Sequence, residues 1–127
     1  MILLAGYGYV GKAIHETFRD VVDMSVVDPK HNKNKVTDFN PDKVIIAVST
    51  PEGKNGECDM TNVFDVLKNV KPEVPVLIKS TISIEGWHTL KKKFPDHRIT
   101  FSPEFLRAKT ATKDFQATNH IYLAGAY

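Results

Sequence analysis

One cysteine, Cys58, is all the thiol that the 127-residue chain carries. It cannot form an intrachain disulfide, and with no second Cys or His nearby it has no metal-site spacing. That usage fits a reducing compartment, so the expected location is the cytoplasm. No apolar run approaches the roughly 20 residues that span a bilayer. Met1 leads straight into Ile2-Leu3-Leu4-Ala5 with neither a basic leader segment nor a small-residue cleavage site. Membrane insertion and secretion are therefore not expected. An excess of one charge is missing too: 17 Lys plus Arg stand against 15 Asp plus Glu, a net of +2. The basic residues are scattered, so the field that nucleic acid or an anionic membrane needs is lacking. What remains is 42% hydrophobic and 25% charged, the composition of one ordinary globular domain over residues 1–127.

Hydrophobic spacing gives the order of elements. Ile2 to Ala5 reads as a strand ended by glycine, and Val10, Ala13, Ile14, Phe18 and Val21 then recur at helical spacing. Val22 to Asp28 is a second strand, closed by Pro29 and followed by the solvated loop Lys30 to Lys35. Lys43 to Val48 is a continuous apolar run, the signature of a central strand covered on both faces. After a loop over Ser49 to Cys58, Asp59 is placed to cap a helix with Met60, Val63, Phe64, Leu67 and Val70 on one face. Val74 to Lys79 is a strand. Trp87, Leu90 and Phe94 form the buried stripe of a helix whose solvated face carries Lys91, Lys92 and Lys93. Arg98 to Phe101 and His120 to Ala124 are further strands, and Pro103 to Asp114 is irregular to helical. The class is α/β, a doubly wound parallel sheet.

Ligands in such sheets bind beyond the carboxyl ends of the strands, which directs attention to the residues after each apolar run. Gly6-Tyr7-Gly8-Tyr9-Val10-Gly11 has the G-x-G-x-x-G spacing between strand and helix that a dinucleotide fingerprint requires. Gly6 permits the tight turn, Gly8 lets backbone approach a pyrophosphate, and Gly11 allows close packing of helix on strand, while the helix N-terminus faces the anion. Asp28 follows Gly11 by 17 positions, close to the roughly 20 expected of an acid that binds an adenosine ribose. A carboxylate there repels a 2′-phosphate and favours NAD over NADP, although Lys30, His31, Lys33 and Lys35 offer partial compensation. The competing role for Asp28 is a surface turn before Pro29. His15, His88, His97 and His120 share no ligand spacing, and no metal site is expected.

Later strand ends extend the pattern: Thr50-Pro51, then Lys79-Ser80-Thr81, then Ser102-Pro103-Glu104-Phe105-Leu106-Arg107. With the glycine motif and Asp28, these five ordered landmarks make the chain resemble the nucleotide-sugar 6-dehydrogenases, the UDP-glucose dehydrogenase family. The resemblance implies a Rossmann-type NAD-binding domain; this chain departs from it in being trimmed between strands two and four, since the connection from Asp28 to Val44 has room for at most a brief strand near Val36-Thr37-Asp38 and no intervening helix. The resemblance also implies oxidation of a sugar C6 alcohol to a carboxylate with two NAD reduced, through thiohemiacetal and thioester intermediates. On that pattern Thr81 helps position a catalytic water and Glu104 serves proton transfer and hydrolysis. Phe105, Leu106 and Arg107 lie along the nucleotide-sugar, and Thr50 and Pro51, with Gly6, Gly8, Tyr9, Val10, Gly11 and Asp28, lie along the cofactor. The alternatives are a capping role for Thr81 and a solvated loop position for Glu104.

Two departures temper the activity. The family's central helix and UDP-binding C-terminal domain, with the nucleophilic cysteine, lysine and aspartate, have no counterpart here, and Cys58 matches no nucleophile position. A second glutamate common in the family is Ala108. The leading expectation is thus an NAD-binding domain that is not competent for sugar oxidation alone and would act on a nucleotide-sugar only with a separate substrate domain. The alternative is a non-catalytic stand-alone nucleotide-binding or interaction module. A small reductase of another Rossmann family would leave Ser102 to Arg107 unexplained. Self-association through the face that normally meets a second domain is a further expectation.

Overall fold

The computed structural model describes residues 1–53, 56–102 and 124–125. β1 (Ile2–Ala5) leads into α1 (Tyr9–Phe18) and β2 (Met24–Val27), and β3 (Lys43–Ile46) precedes α2 (Thr61–Leu67). β4 (Val76–Ile78), α3 (Ile84–Lys93), β5 (Ile99–Phe101) and β6 (Ala124–Gly125) complete the order. The sheet runs β2-β1-β3-β4-β5-β6. Its first five strands are parallel, with Leu3 opposite Ser25 and Val44, and β6 runs antiparallel to β5.

Strand alternation divides the core between two faces. Leu3, Ala5, Val44, Ile46, Val76 and Ile78 point to the face covered by Val63, Val66 and Leu67 of α2 and Leu90 of α3. Leu4 and Val26 point to the other face and pack on Ile14 of α1. Leu3, Leu4, Ile46, Ile78 and Leu90 are fully buried, each contributing about 1.5–3 kcal/mol of transfer free energy.

This is a doubly wound sheet in which the chain leaves β1 toward β2, then crosses back to β3 on the other side. The crevice of such a sheet opens where the winding reverses, above β1 and β3. The trimmed connection is present: where there was room for at most a brief strand, residues Val36–Asp38 make a single 3-10 turn. Lys35 N donates to Asp38 Oδ2 at 2.8 Å, which closes the turn before the segment can reach a sheet edge. The preceding loop is solvated as expected, yet it is tied down: Asn32 and Asn34 both donate to the Val26 carbonyl, at 2.9 and 3.2 Å.

Several boundaries contract. α1 ends at Phe18, so Val21, expected on its buried stripe, is 74% exposed. β2, β3, β4 and β5 are each shorter than their apolar runs: β5 at its start, β3 at its end, and β2 and β4 at both. α2 starts at Thr61 with Met60 in the N-cap position, and Asp59 lies one residue earlier than a cap. Asp59 Oδ1 nevertheless accepts from Thr61 N at 2.9 Å and Thr61 Oγ1 at 2.6 Å. That hydroxyl, and then the amide, hold the Asp59 carboxyl below the usual carboxylate range. On α3, Lys92 and Lys93 are exposed as expected and Lys91 is half-buried; Lys91 lies over the Trp87 ring and Lys93 over the Phe64 ring. Of the expected final strand only Ala124 falls among the described residues; 120–123 lie outside them, as do 103–114.

Candidate functional site

A cleft of about 830 Å³ opens above β1 and β3, within the range of small-molecule and cofactor sites. It is lined by Gly8, Tyr9 and Val10 at the start of α1, by Asp28, Pro29 and Lys30 after β2, and by Ala47 to Pro51 after β3. Asn62 and Asp65 of α2 and Lys79 to Thr81 after β4 complete it.

The three glycines of the first turn divide by what surrounds them. Gly6 has φ +106°, and a Cβ there would stand 2.3 Å from the Ala47 carbonyl oxygen. A Cβ on Gly11 would stand 2.0 Å from the Gly6 carbonyl oxygen. Both glycines are demanded by the fold itself, since backbone on the facing segment occupies the space. Gly8 differs: a Cβ there meets nothing within 4 Å and would project from a cleft-lining position. Gly8 also holds the N-cap position of α1 without a side-chain cap, and no acid stands in the first turn. A helix start of this kind, open to a cleft, suits an anionic group.

Asp28 is fixed from two sides. Tyr7 N donates to its Oδ2 at 2.6 Å and Lys30 N donates to its Oδ1 at 2.8 Å, while the Asp28 carbonyl accepts from His31 N and Asn32 N at 2.9 Å each. The turn role weighed for Asp28 is therefore real, and it coexists with a place on the cleft wall. Sequence spacing did not signal the aromatic support behind it. The Tyr7 ring stacks on His31 at 4.1 Å and meets His15 edge-on at 5.6 Å.

The β3 and β4 ends are linked by side chains. Thr50 Oγ1 donates to the Thr81 carbonyl at 2.5 Å, Ser80 Oγ donates to the Val48 carbonyl at 2.7 Å, and Asn62 Nδ2 donates to the Ser49 carbonyl at 3.0 Å. Thr81 is exposed to the cleft and is not the cap of α3: Ser83 takes that role, its Oγ accepting from Gly86 N at 2.9 Å. Cys58 is more embedded than an incidental loop thiol. It pairs with Glu52 in an isolated antiparallel bridge, and its thiol points to the Thr81 carbonyl at 3.6 Å. Lys79 lines the cleft and is buried to 6% exposure, its Nζ donating to the fully buried Ser102 Oγ at 3.1 Å. The cleft thus gathers Gly8, Tyr9, Val10, Asp28, Thr50, Pro51 and Thr81, with Gly6 and Gly11 shaping the turn beneath. Glu104, Phe105, Leu106 and Arg107 lie outside the described residues.

Residues 39–126 match the family model described as UDP-glucose/GDP-mannose dehydrogenase family, NAD binding domain. The chain belongs to this family. Its place there is the NAD-binding domain, and NAD is its cofactor. The UDP-glucose 6-dehydrogenase of Campylobacter jejuni is 38% identical over 80 residues, which cover 60% of this chain and 20% of that protein. The enzyme of the same name from Rickettsia bellii is 28% identical over 108 residues, covering 74% of this chain and 25% of that protein. The chain thus spans about a fifth to a quarter of the length of these curated relatives. Among solved structures, a GDP-mannose dehydrogenase from Pseudomonas aeruginosa superposes with a TM-score of 0.81 at 18% identity, over 98% of this chain and 41% of that one. A UDP-glucose dehydrogenase from Pyrobaculum islandicum gives 0.73 at 20% identity, over 99% and 40%. At those identities the two structures bear on the fold, a Rossmann-like α/β domain.

The NAD-binding assignment fits the cleft on its own observations: an open position beside Gly8, an uncapped helix start, and a carboxylate held ready at the end of β2. The glycine turn lies before residue 39, outside the family match, so its support comes from this geometry.

Proposed function

We propose that residues 1–127 act as one NAD-binding Rossmann domain of a nucleotide-sugar dehydrogenase, in which Asp28 binds the adenosine ribose and the start of α1 faces the pyrophosphate. The observation that carries this is the Asp28 carboxylate, locked by the Tyr7 amide into the wall of a cleft whose Gly8 side is open. Gly8, Tyr9 and Val10 hold the phosphates, Gly6 and Gly11 shape the turn, and Thr50 and Pro51 line the cofactor beyond it. When bound, NAD supplies the acceptor for a hydride. The chain's own residues bind and orient it, exclude a 2′-phosphate through the charge on Asp28, and leave Thr81 exposed on the cleft wall to position a water.

Glu104 is assigned proton transfer and Phe105, Leu106 and Arg107 contact with a nucleotide-sugar, on their match to the family pattern. Cys58 has its thiol turned to a backbone carbonyl, so thioester chemistry on a sugar needs a cysteine from a separate substrate domain. The single thiol suits the cytoplasm, and among the described residues no helix is long and apolar enough to cross a membrane. The test is an assay of the purified chain with UDP-glucose and NAD beside a binding titration. NAD binding without NADH production supports the reading; sustained UDP-glucose oxidation by these 127 residues overturns it.

A second reading, a non-catalytic nucleotide-binding module, is favoured by Ala108 and by the single 3-10 turn that replaces a longer β2 to β3 connection. It predicts cofactor binding with no gain of activity when a substrate domain is supplied.

A further inference from the structure

The α2 wall of the cleft carries an acid to which the cofactor reading gives no task. α2 buries Val63, Val66 and Leu67 against the sheet and turns Asn62 and Asp65, three residues apart and so on one face, toward the cleft. Asn62 is engaged: its amide donates to the Ser49 carbonyl and to Ser49 Oγ, at 3.0 and 3.2 Å, clamping the helix to the end of β3. Asp65 is placed differently. Its Oδ1 meets Lys68 Nζ at 3.2 Å on the same helix, the side chain is 58% exposed, and among the described residues Oδ2 has no hydrogen-bond partner.

Asp28 sets the polarity of the cleft. Pro29 and Lys30 after β2 and Asn62 and Asp65 of α2 line the same cleft as Asp28, so a base attached to a ribose on Asp28 enters a cleft that carries all four. The exocyclic edge of a purine is the part that an acid on the cleft wall can read. In adenine the edge is an amine, a donor; in hypoxanthine and guanine it is a keto oxygen, an acceptor. An ionised carboxylate only accepts.

We propose that Asp65 reads the purine of the bound dinucleotide, accepting from the exocyclic amine of adenine and rejecting a keto oxygen in its place. This rests on the cofactor reading above and names the base specificity of the same cleft. Asn62 acts beside it as a positioning residue, holding α2 at a fixed distance from β3 through Ser49.

The experiment is a calorimetric titration of the full chain with NADH and with its deaminated analogue, reduced nicotinamide hypoxanthine dinucleotide. The wild-type chain should bind NADH about tenfold or more tightly than the analogue, the scale of a hydrogen bond to a charged group at a partly exposed site. Asp65→Ala should bring the two ligands to within about twofold, NADH weakening and the analogue gaining, with an unchanged circular dichroism melt. Lys68→Ala removes the helix ion pair and should leave the preference intact. Equal binding of the two ligands by the wild-type chain overturns the assignment and leaves NAD binding standing. So does an undiminished preference in Asp65→Ala, or loss of the preference in Lys68→Ala. Failure of the wild-type chain to bind NADH at all overturns both readings together.

Discussion

The Tyr7 amide donates to Asp28 Oδ2 at 2.6 Å, across 21 residues of sequence, so the glycine turn after β1 and the acid after β2 form one unit. The second carboxylate oxygen is held by Lys30 N, and the Tyr7 ring is braced by His31. Both carboxylate oxygens are thus fixed by backbone amides; if Asp28 is the ribose acceptor proposed above, little ordering would remain to offset the binding energy.

Replacing that carboxylate separates charge from shape. Asp28→Asn keeps the size of the side chain but loses the anion. It should weaken NADH binding about ten- to a hundredfold and narrow the gap between NADH and NADPH. Fluorescence titration with both nucleotides reads this; an unchanged NADH affinity would place the ribose elsewhere.

The glycines should split into two classes. Gly6→Ala and Gly11→Ala put a methyl group into backbone on the facing segment and should each destabilise the fold by about 2 kcal/mol or more. Gly8→Ala, with nothing within 4 Å of its Cβ, should leave stability within about 0.5 kcal/mol while lowering NADH affinity about tenfold or more. Denaturant melts beside binding titrations would expose a failure of that split.

Lys79 and Ser102 are a buried pair bridging the ends of β4 and β5. Lys79 makes a further interaction besides Ser102, so Lys79→Ala should cost about 2 kcal/mol or more and Ser102→Ala about 1 kcal/mol. The double variant should cost less than the sum of the two. Additive losses in urea denaturation would mean that the contact carries no coupling.

The start of α2 should be sensitive to acid. The folded pKa of Asp59 is depressed, chiefly by the Thr61 hydroxyl. Its contribution is therefore complete above the unfolded carboxylate pKa and fades in the window below it, as the pH falls through the lower folded one. Asp59→Ala should lower the Tm at pH 7 and converge on the wild-type Tm at the acid end of that window. A difference that persists there would assign the effect to helix packing instead of the carboxylate.

Much of the architecture was legible because it is written in local period. Ile2 to Ala5, the glycine turn and the stripe Val10, Ala13, Ile14 announced a strand, turn and helix, and the run Lys43 to Val48 announced a strand buried on both faces. The strand ends then pointed to the cleft. What stayed hidden depends on partners distant in sequence. The stacking of Tyr7 on His31, the burial of Lys79 on Ser102 and the link from Thr50 to Thr81 leave no period, since each joins two loops or strand ends that the sheet brings together. Val36 to Asp38 stayed open in the sequence, which left room there for at most a brief strand. The β-branched Val36 and Thr37 suggest a strand, but the Asp38 carboxylate captures the Lys35 amide and closes a turn. Asp59 was legible as a helix-start signal and off by one residue, because its acceptor serves Thr61 from just before the N-cap position.

The most direct test of the account is a calorimetric titration of the 127-residue chain with NAD and NADH, with NADPH as the comparison. Saturable binding of NAD and NADH, with NADPH excluded by the Asp28 carboxylate, is the predicted result. Binding of none of the three, or equal binding of NADH and NADPH, would contradict the assignment of the cleft between Gly8 and Asp28 as a working NAD site.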